Sequence, residues 1–334
     1  MMDIWDCALG FMNAQALLTA EEMGVFDALD SGPRTAVEIA DAVGLRKDLA
    51  ERLLTTLCAL GFLERWPDGR FANGPEAAEK LVRGKPGYVG AMFRHIREDL
   101  YPVWRYLPEA LADGSAQWSR AFGPQPAPTE RMYSDQASLR AFLEGMHAIT
   151  YQAGTEFSAQ APELNGVRRL VDVGGASGAF LISVAQSFRS LQGTVFDLPA
   201  VGPVAEDFFR QYGLADRLNF HGGDFWEDPI PAGADCYSLG FILHDWDMEG
   251  GSHILARIAE AVRPGGLLII GEYLLNEDRT GPLHVARMDL NMLVAARGRE
   301  RTAREYAEWI GAFDFELQRI QPTSMGKHFL IARR

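Results

Sequence analysis

The stretch Leu170-Val171-Asp172-Val173-Gly174-Gly175-Ala176-Ser177-Gly178 decides the fold. An apolar run from Arg169 to Val173 breaks into a loop of small residues, and Phe180, Val184 and Phe188 follow at i, i+4 and i+8, a helical period. The order is strand, tight turn, helix. Three glycines in five residues let the backbone take positive φ and bring bare amides to a ligand beside a helix N-terminus. A dinucleotide site would read G-x-G-x-x-G to receive a pyrophosphate. Here the glycines read G-G-A-S-G with Asp172 two residues ahead, which disfavours pyrophosphate and leaves a generic nucleotide fold as the competing reading.

Acids recur where later apolar runs end. Asp197 follows Thr194-Val195-Phe196, Asp224 follows Leu218 to Gly223, and His244-Asp245 follows Tyr237 to Leu243. In an open α/β sheet, ligands bind outside the carboxyl ends of the strands, so these groups converge on one crevice. Its ligand should be cationic or rich in donors. S-adenosylmethionine suits it: a ribose diol for Asp197, an adenine amine for Asp224, and ammonium and sulfonium charges for the glycine loop. The cofactor candidates there are Asp172, Gly174, Gly175 and Gly178, with Leu198 next to Asp197.

A length of 334 residues argues for two domains, and 47% apolar against 23% charged residues is the balance of a globular protein with sizeable cores. The net charge of −13 repels phosphate backbones and anionic lipid, so neither nucleic acid nor membrane is an expected partner. Cys7, Cys58 and Cys236 lie far apart with no C-x-x-C, which points away from a disulfide framework or zinc site and towards a reducing cytoplasm. Asp3 and Asp6 replace a basic leader, and no apolar run reaches about 18 residues, so no export signal or membrane span is predicted.

Ile4 to Leu29 reads as helix, apolar on more than one face through Trp5, Leu9, Phe11, Met12 and Phe26. Such a helix must be buried, by a partner subunit or within its own chain. Pro33 to Gly74 follows a winged-helix plan. Thr35 and Glu38 form a capping box for a helix ended by Gly44, Leu49, Leu53, Leu57 and Leu60 stripe a second, and Phe62–Arg65 and Arg70–Ala72 flank a turn at Pro67-Asp68-Gly69. The second helix mixes Asp48 and Glu51 with Arg46, Lys47 and Arg52, leaving no basic face for DNA. Residues 75–165 read as helices punctuated by Gly114 and the Pro124–Pro128 segment. Tyr133, Phe142 and Met146 are candidates there for a flat apolar substrate's pocket or for plain core. From Gly166 strands and helices alternate, giving about seven strands, the last two joined by a hairpin at Gln321 to Lys327. A mostly parallel sheet with one antiparallel strand is expected.

His244 sits at a strand's carboxyl end ahead of a helix starting near Asp247. Methyl transfer from a sulfonium to oxygen needs the attacking hydroxyl deprotonated, and histidine is the usual base, although a lone histidine can equally be structural. Glu272, read as closing the Leu267–Gly271 strand, and Glu300 supply carboxylates to orient the imidazole.

Gly223-Asp224-Phe225, Phe241 to Trp246, Arg263-Pro264-Gly265-Gly266 and Gly298 to Thr302 resemble the successive motifs of the plant-type O-methyltransferase family, which includes caffeate and acetylserotonin O-methyltransferases. The likeness spans nearly the whole chain. Leu274 to Leu283 and Leu290 to Val294 are most similar to the acetylserotonin branch. The resemblance implies an α/β fold: a Rossmann-like class I methyltransferase sheet with an N-terminal helical winged-helix dimerisation domain. It divides the chain into a dimerisation domain (1–95), a helical linker contributing to the substrate cleft (96–165) and an S-adenosylmethionine-binding catalytic domain (166–334). It implies a homodimer that methylates a phenolic or enolic hydroxyl of a small aromatic molecule without a metal. His244 would be the base, flanked by Glu272 and Glu300. Gly174, Asp197, Asp224, Phe225 and Tyr133 would hold the cofactor, and Asp245, Met288, Asn291 and Met292, with Phe142 and Met146, would line the substrate site. The chain departs from the family in carrying Ala176 for a glycine, Gly240 and Phe241 where many relatives have Lys or Arg, and Ala295 for a glutamine of the acetylserotonin enzymes. C- or N-methylation on the same fold, a winged-helix DNA-binding metabolite sensor, and a scaffold that has lost catalysis are the competing functions. The intact His244, Glu272 and Glu300 set argues against the last.

Overall fold

Asp3 Oδ1 accepts from Trp5 N at 2.7 Å and opens α1 (Ile4–Ala8), followed by α2 (Gly10–Glu22) and α3 (Val25–Ala28). Thr35 and Glu38 form the capping box of α4 (Ala36–Val43), which Gly44 ends at φ 73°. α5 (Lys47–Ala59) leads into the antiparallel pair β1 (Leu63–Arg65) and β2 (Phe71–Asn73). The computed structural model describes residues 3–85, 87–123, 133 and 136–334, and the chain divides after Tyr101 into two units.

Two expectations for the first unit change. Ile4, Trp5, Leu9, Phe11 and Met12 are exposed, so burial within the chain holds only from Leu18 onward, where Ala20, Val25, Phe26 and Leu29 join Ile39, Leu54, Leu57 and Phe71 in one core. On α5 the buried face is Ala50, Leu54 and Leu57, and Leu49 is exposed. The helix carries two adjacent apolar stripes and the small core takes the one with the shorter Ala50. Leu53, on the other, borders an open hollow of ≈ 410 Å³ with Phe11, Met12 and Tyr101.

The second unit begins with helices, one of them ended by Gly114 at φ 67°, and the long Gln136–Ser158 helix. The Pro124–Pro128 segment lies outside the described residues. Then come β3 (Arg169–Val173), β4 (Gln192–Asp197), β5 (Leu218–Gly222), β6 (Cys236–Gly240), β7 (Leu267–Leu275), β8 (Arg301–Thr302), β9 (Glu316–Pro322) and β10 (Lys327–Arg333). Their order is β5-β4-β3-β6-β7-β10-β9, with β8 beside β7. β3 to β7 pair in parallel, while β10 runs antiparallel to both β7 and β9. This is the expected sheet with one reversed strand. Apolar side chains cover both faces: Leu170, Val195, Ile269 and Phe329 on one, Val171, Tyr237, Ile270 and Leu330 on the other. β7 is longer than its sequence suggests. Tyr273 pairs with Lys327 and Leu274 with Arg301, so Glu272 lies inside the strand instead of closing it.

Candidate active site

The turn after β3 requires positive φ at Gly174 (65°) and Gly178 (74°). A Cβ on Gly178 would lie 2.6 Å from the Phe209 ring, and one on Gly174 would run into Ile242, so glycine alone fits both. Ala176 takes φ 51°, and the turn closes with it in place. Its amide donates to Asp197 Oδ2 at 2.8 Å while Leu198 N donates to Oδ1 at 2.7 Å. Desolvation pushes the Asp197 carboxyl up to about 6 against these two amides, and each oxygen retains a lone pair for a diol.

Asp224, beyond β5, accepts from Trp226 N at 2.9 Å, and the Phe225 ring lies 5.8 Å from Trp226 and 6.3 Å from Trp246. Tyr133 packs against the buried cluster of Leu139, Leu143, Val201 and Val204, as do Phe142 and Ala176. Burial, then the charges of Asp197 and Asp245, hold the Tyr133 hydroxyl well above the usual range. Asp172 acts from below. Its Oδ1 accepts from the Ser238 hydroxyl at 2.7 Å, a Cβ on Gly175 would meet its Oδ2 at 2.7 Å, and desolvation pushes it up to about 7. A turn closed to side chains at Gly174, Gly175 and Gly178, with carboxylates at the ends of β4 and β5 beside it, fits a ligand bearing hydroxyls and positive charge better than a pyrophosphate.

β6 delivers the histidine. Gly240 ends the strand, Phe241 takes φ 55°, and a single turn of 3-10 helix, Leu243–Asp245, carries His244. Its Nδ1–H donates to Glu300 Oε1 at 2.8 Å. Glu272 Oε2 lies 3.7 Å from the same nitrogen, while Oε1 accepts from the Ile242 and Leu243 amides at 3.1 and 3.0 Å. Glu300 therefore fixes the ring and Glu272 fixes the turn. Nε2 lies 3.6 Å from Oδ1 of Asp245, whose side chain is partly exposed. Desolvation alone would lower the imidazole pKa, but Glu272, Asp245 and Glu300 outweigh it and raise it to about 10. His244, Glu272 and Glu300 offer ligand atoms within 4.8 Å of one another, the spacing of a cation site. Nδ1 is engaged with Glu300 and Glu272 Oε1 with two amides, while Glu272 Oε2 and Glu300 Oε2 are buried without a hydrogen-bond partner.

On the substrate side the predicted residues fall into two groups. Phe142 joins the Tyr133 cluster, and Met146, one turn on, is half-buried. Met288, Asn291 and Met292 form a stripe on the Leu283–Ala295 helix. Asn291 Oδ1 accepts from the Trp104 indole at 2.8 Å and its Nδ2 approaches Met288 Sδ at 3.7 Å, while Met292 is buried.

Sequence reasoning missed four side chains around this site. Trp104 orients Asn291. Arg301 donates to the carbonyls of Leu243 (3.1 Å) and Trp246 (2.9 Å), with its guanidinium 4.3 Å above the Trp309 ring, and so braces the His244 turn. His147 reaches Ser177 of the glycine turn through Nδ1 (2.8 Å) and the Tyr212 hydroxyl through Nε2 (3.2 Å), its pKa lowered to about 4 by burial. Lys327 is buried at the start of β10. The partners of each come from segments distant in sequence, so local spacing does not reveal them. The only available signal is that buried Arg and Lys need partners.

An O-methyltransferase domain matches residues 104–316, and an O-methyltransferase dimerisation domain matches residues 5–83. The 3-hydroxy-5-methyl-1-naphthoate 3-O-methyltransferase of Streptomyces sahachiroi is 36% identical over 98% of this chain and 93% of its own. The N,N-dimethyltransferase OxyT of Streptomyces rimosus is 35% identical over 93% of this chain and 89% of its own. The crystal structure of human N-acetylserotonin methyltransferase in complex with S-adenosylmethionine superposes with a TM-score of 0.90 at 30% identity, covering 98% of this chain and 96% of that one. With both domains matched and relatives aligned nearly end to end, the chain belongs to the O-methyltransferase family.

Proposed function

We propose that the protein transfers the methyl group of S-adenosylmethionine to a phenolic or enolic hydroxyl of a small aromatic molecule, with His244 as general base and no metal. One observation carries this reading: the imidazole is fixed through Nδ1 by Glu300 at 2.8 Å, leaving Nε2 to take a proton. When bound, S-adenosylmethionine supplies an electrophilic methyl on a sulfonium. Asp197 would hold its ribose, Asp224 and Phe225 its adenine side, the Gly174–Gly178 turn its amino-acid end, and Tyr133 would reach it from the helical segment. The acceptor would lie against Phe142, Met146, Met288, Asn291 and Met292, with its hydroxyl towards Nε2 and Asp245. The carboxylates that raise the imidazole to about 10 make the neutral ring the minor form at neutral pH. Its pKa then matches a phenol's own of about 10, so proton transfer to that form is nearly isoenergetic and the imidazolium–phenolate pair is held as the oxygen attacks.

The aromatic acceptor class is supported by the names of the relatives, which act on a hydroxynaphthoate and on acetylserotonin. The exposed Ile4, Trp5, Leu9, Phe11 and Met12 support a homodimer formed through a winged-helix-like N-terminal domain. Three free cysteines suit a reducing cytoplasm. No helix of the described residues is long and apolar enough to cross a membrane.

The test is transfer of labelled methyl to hydroxynaphthoates, hydroxyindoles and simple phenols, run with wild type and His244→Ala, with and without a chelator, alongside S-adenosylhomocysteine binding. Wild type should label a phenol irrespective of chelator, and His244→Ala should bind the product cofactor yet lose about 100-fold or more of the activity. Labelling by the variant at the wild-type rate moves the assignment to N- or C-methylation, and failure of both proteins to bind the cofactor ends it.

A further inference from the structure

Lys327 is 1% exposed, and the fold makes room for it with two glycines. Gly240 of β6 pairs with Gly271 of β7, and Gly271 pairs with Phe329 of β10, so Lys327, two residues from Phe329, lies on the face of the sheet those glycines leave bare. A Cβ on Gly271 would meet Lys327 Cε at 2.7 Å, and one on Gly240 would meet Nζ at 3.1 Å. The stem fills this trough and places Nζ 3.7 Å from the centroid of the Phe241 ring. Phe241 holds φ 55° and stacks on the His244 imidazole at 5.3 Å between centroids and 26° between planes. Ammonium, phenyl and imidazole are thus in series.

Two carboxylates favour the buried ammonium, Glu272 behind His244 and Asp172 under the glycine turn, although desolvation still lowers the lysine to about 8. The registers Asp172↔Ser238 and Gly240↔Gly271 put Asp172 on the lysine's face of the sheet. Other charges on these acids are His244, Glu300 and Asp245 around Glu272, and Asp197 near Asp172. No ion pair within 4.0 Å is formed by Lys327 among the described residues, so its influence is a field over both acids instead of a single bond. It also rests on Phe329, 5.7 Å from Nζ.

We propose that Lys327 is a positioning residue for methyl transfer: its ammonium presses Phe241 against His244 and favours the charged forms of the Glu272 and Asp172 carboxylates on either side. This rests on the methyltransferase reading of His244 given above. Without the cation both acids draw protons at higher pH, and Phe241, in a conformation L residues rarely adopt, loses the charge that anchors its ring.

The test compares Lys327→Met with wild type in two ways. For the apo protein, thermal unfolding is followed from about pH 6 to pH 9. A carboxyl whose folded pKa is raised loses stability as pH rises, and a lysine whose folded pKa is lowered gains it, so the Tm deficit of the variant should widen steadily with pH. For the full enzyme, kcat should fall about tenfold, the size of one lost cation–π anchor of roughly 1 to 2 kcal/mol, while S-adenosylhomocysteine Kd stays within about threefold. Phe241→Leu should reproduce the kcat loss without the widening Tm deficit. If Lys327→Met is insoluble, Asp172→Asn/Lys327→Met should recover soluble protein, and failure to do so counts against the proposal. A pH-independent Tm deficit, or wild-type kcat in a folded Lys327→Met, overturns it. If wild type neither binds the cofactor nor transfers methyl, the methyltransferase reading fails instead, and the Tm series still reports whether the lysine governs the two acids.

Discussion

Replacing Glu300 by glutamine separates charge from geometry at His244. Glutamine keeps a carbonyl oxygen to accept the Nδ1–H bond, 2.8 Å long in the wild type, but removes one of three carboxylates that raise the imidazole to about 10. Exchanging a charge-assisted hydrogen bond for a neutral one costs about 1 to 1.5 kcal/mol, or about one pKa unit of the imidazole. At lower pH the free enzyme already carries imidazolium, as the transition state does, so the lost charge cancels between them and kcat/KM barely changes. Above its pKa, wild type starts from neutral imidazole and gains the ion pair on the way to the transition state. Its kcat/KM should climb until about pH 10, whereas Glu300→Gln should level off about one pH unit earlier. The ratio of the two therefore grows from about one near pH 7 to about fivefold at pH 10 and approaches about tenfold above it. Initial rates with labelled S-adenosylmethionine and subsaturating acceptor, using a phenol of pKa about 10, measure it. Stability follows the same group. A histidine raised above 6.5 contributes fully below 6.5 and loses the contribution as pH rises through about 10, so the Tm gap between wild type and variant should close across that window. A rate ratio that stays constant with pH, or a variant limb that coincides with wild type, refutes Glu300 as the charge partner.

Other substitutions probe the remaining supports. A Cβ on Gly298 would overlap the His244 carbonyl, so Gly298→Ala should displace the turn by a fraction of an ångström and cut kcat about 100-fold, with S-adenosylhomocysteine Kd from titration calorimetry nearly unchanged. Trp104→Phe removes the donor that orients Asn291; acceptor KM should rise about fivefold while kcat at saturation and cofactor binding hold, which steady-state kinetics will show. Phe11 is 56% exposed, and Phe11→Glu should shift the sedimentation profile from dimer to monomer without lowering the content of helix.

Much of the site was legible because it lies at strand ends. Asp197, Asp224 and His244 were placed by one regularity, that apolar runs ending in polar residues put those residues at the carboxyl edge of a parallel sheet, and the strand order β5-β4-β3-β6-β7 brings them to one edge. The glycine turn was equally plain, because Gly174 and Gly178 are needed for backbone reasons that depend on few neighbours. The α5 stripe was read one position off because two apolar stripes lie side by side on that helix, and only the shape of the core chooses between them.

From the amino-acid order alone came the doubly wound sheet with one reversed strand, the capping box at Thr35, the glycine turn and the candidates His244, Glu272 and Glu300, since each depends on local periodicity or on a residue's own chemistry. The tertiary structure alone decided how those candidates divide their roles. Glu300 holds the ring and Glu272 holds the turn, a difference of 2.8 against 3.7 Å at one nitrogen that no spacing encodes. It alone brought Trp104 to Asn291, across 187 residues, and Lys327 to Phe241 through a trough of two glycines on neighbouring strands. The physical reason is common to all three. A buried polar group takes its partner from whichever segment the packed core places beside it, and that choice is made by the whole chain closing on itself.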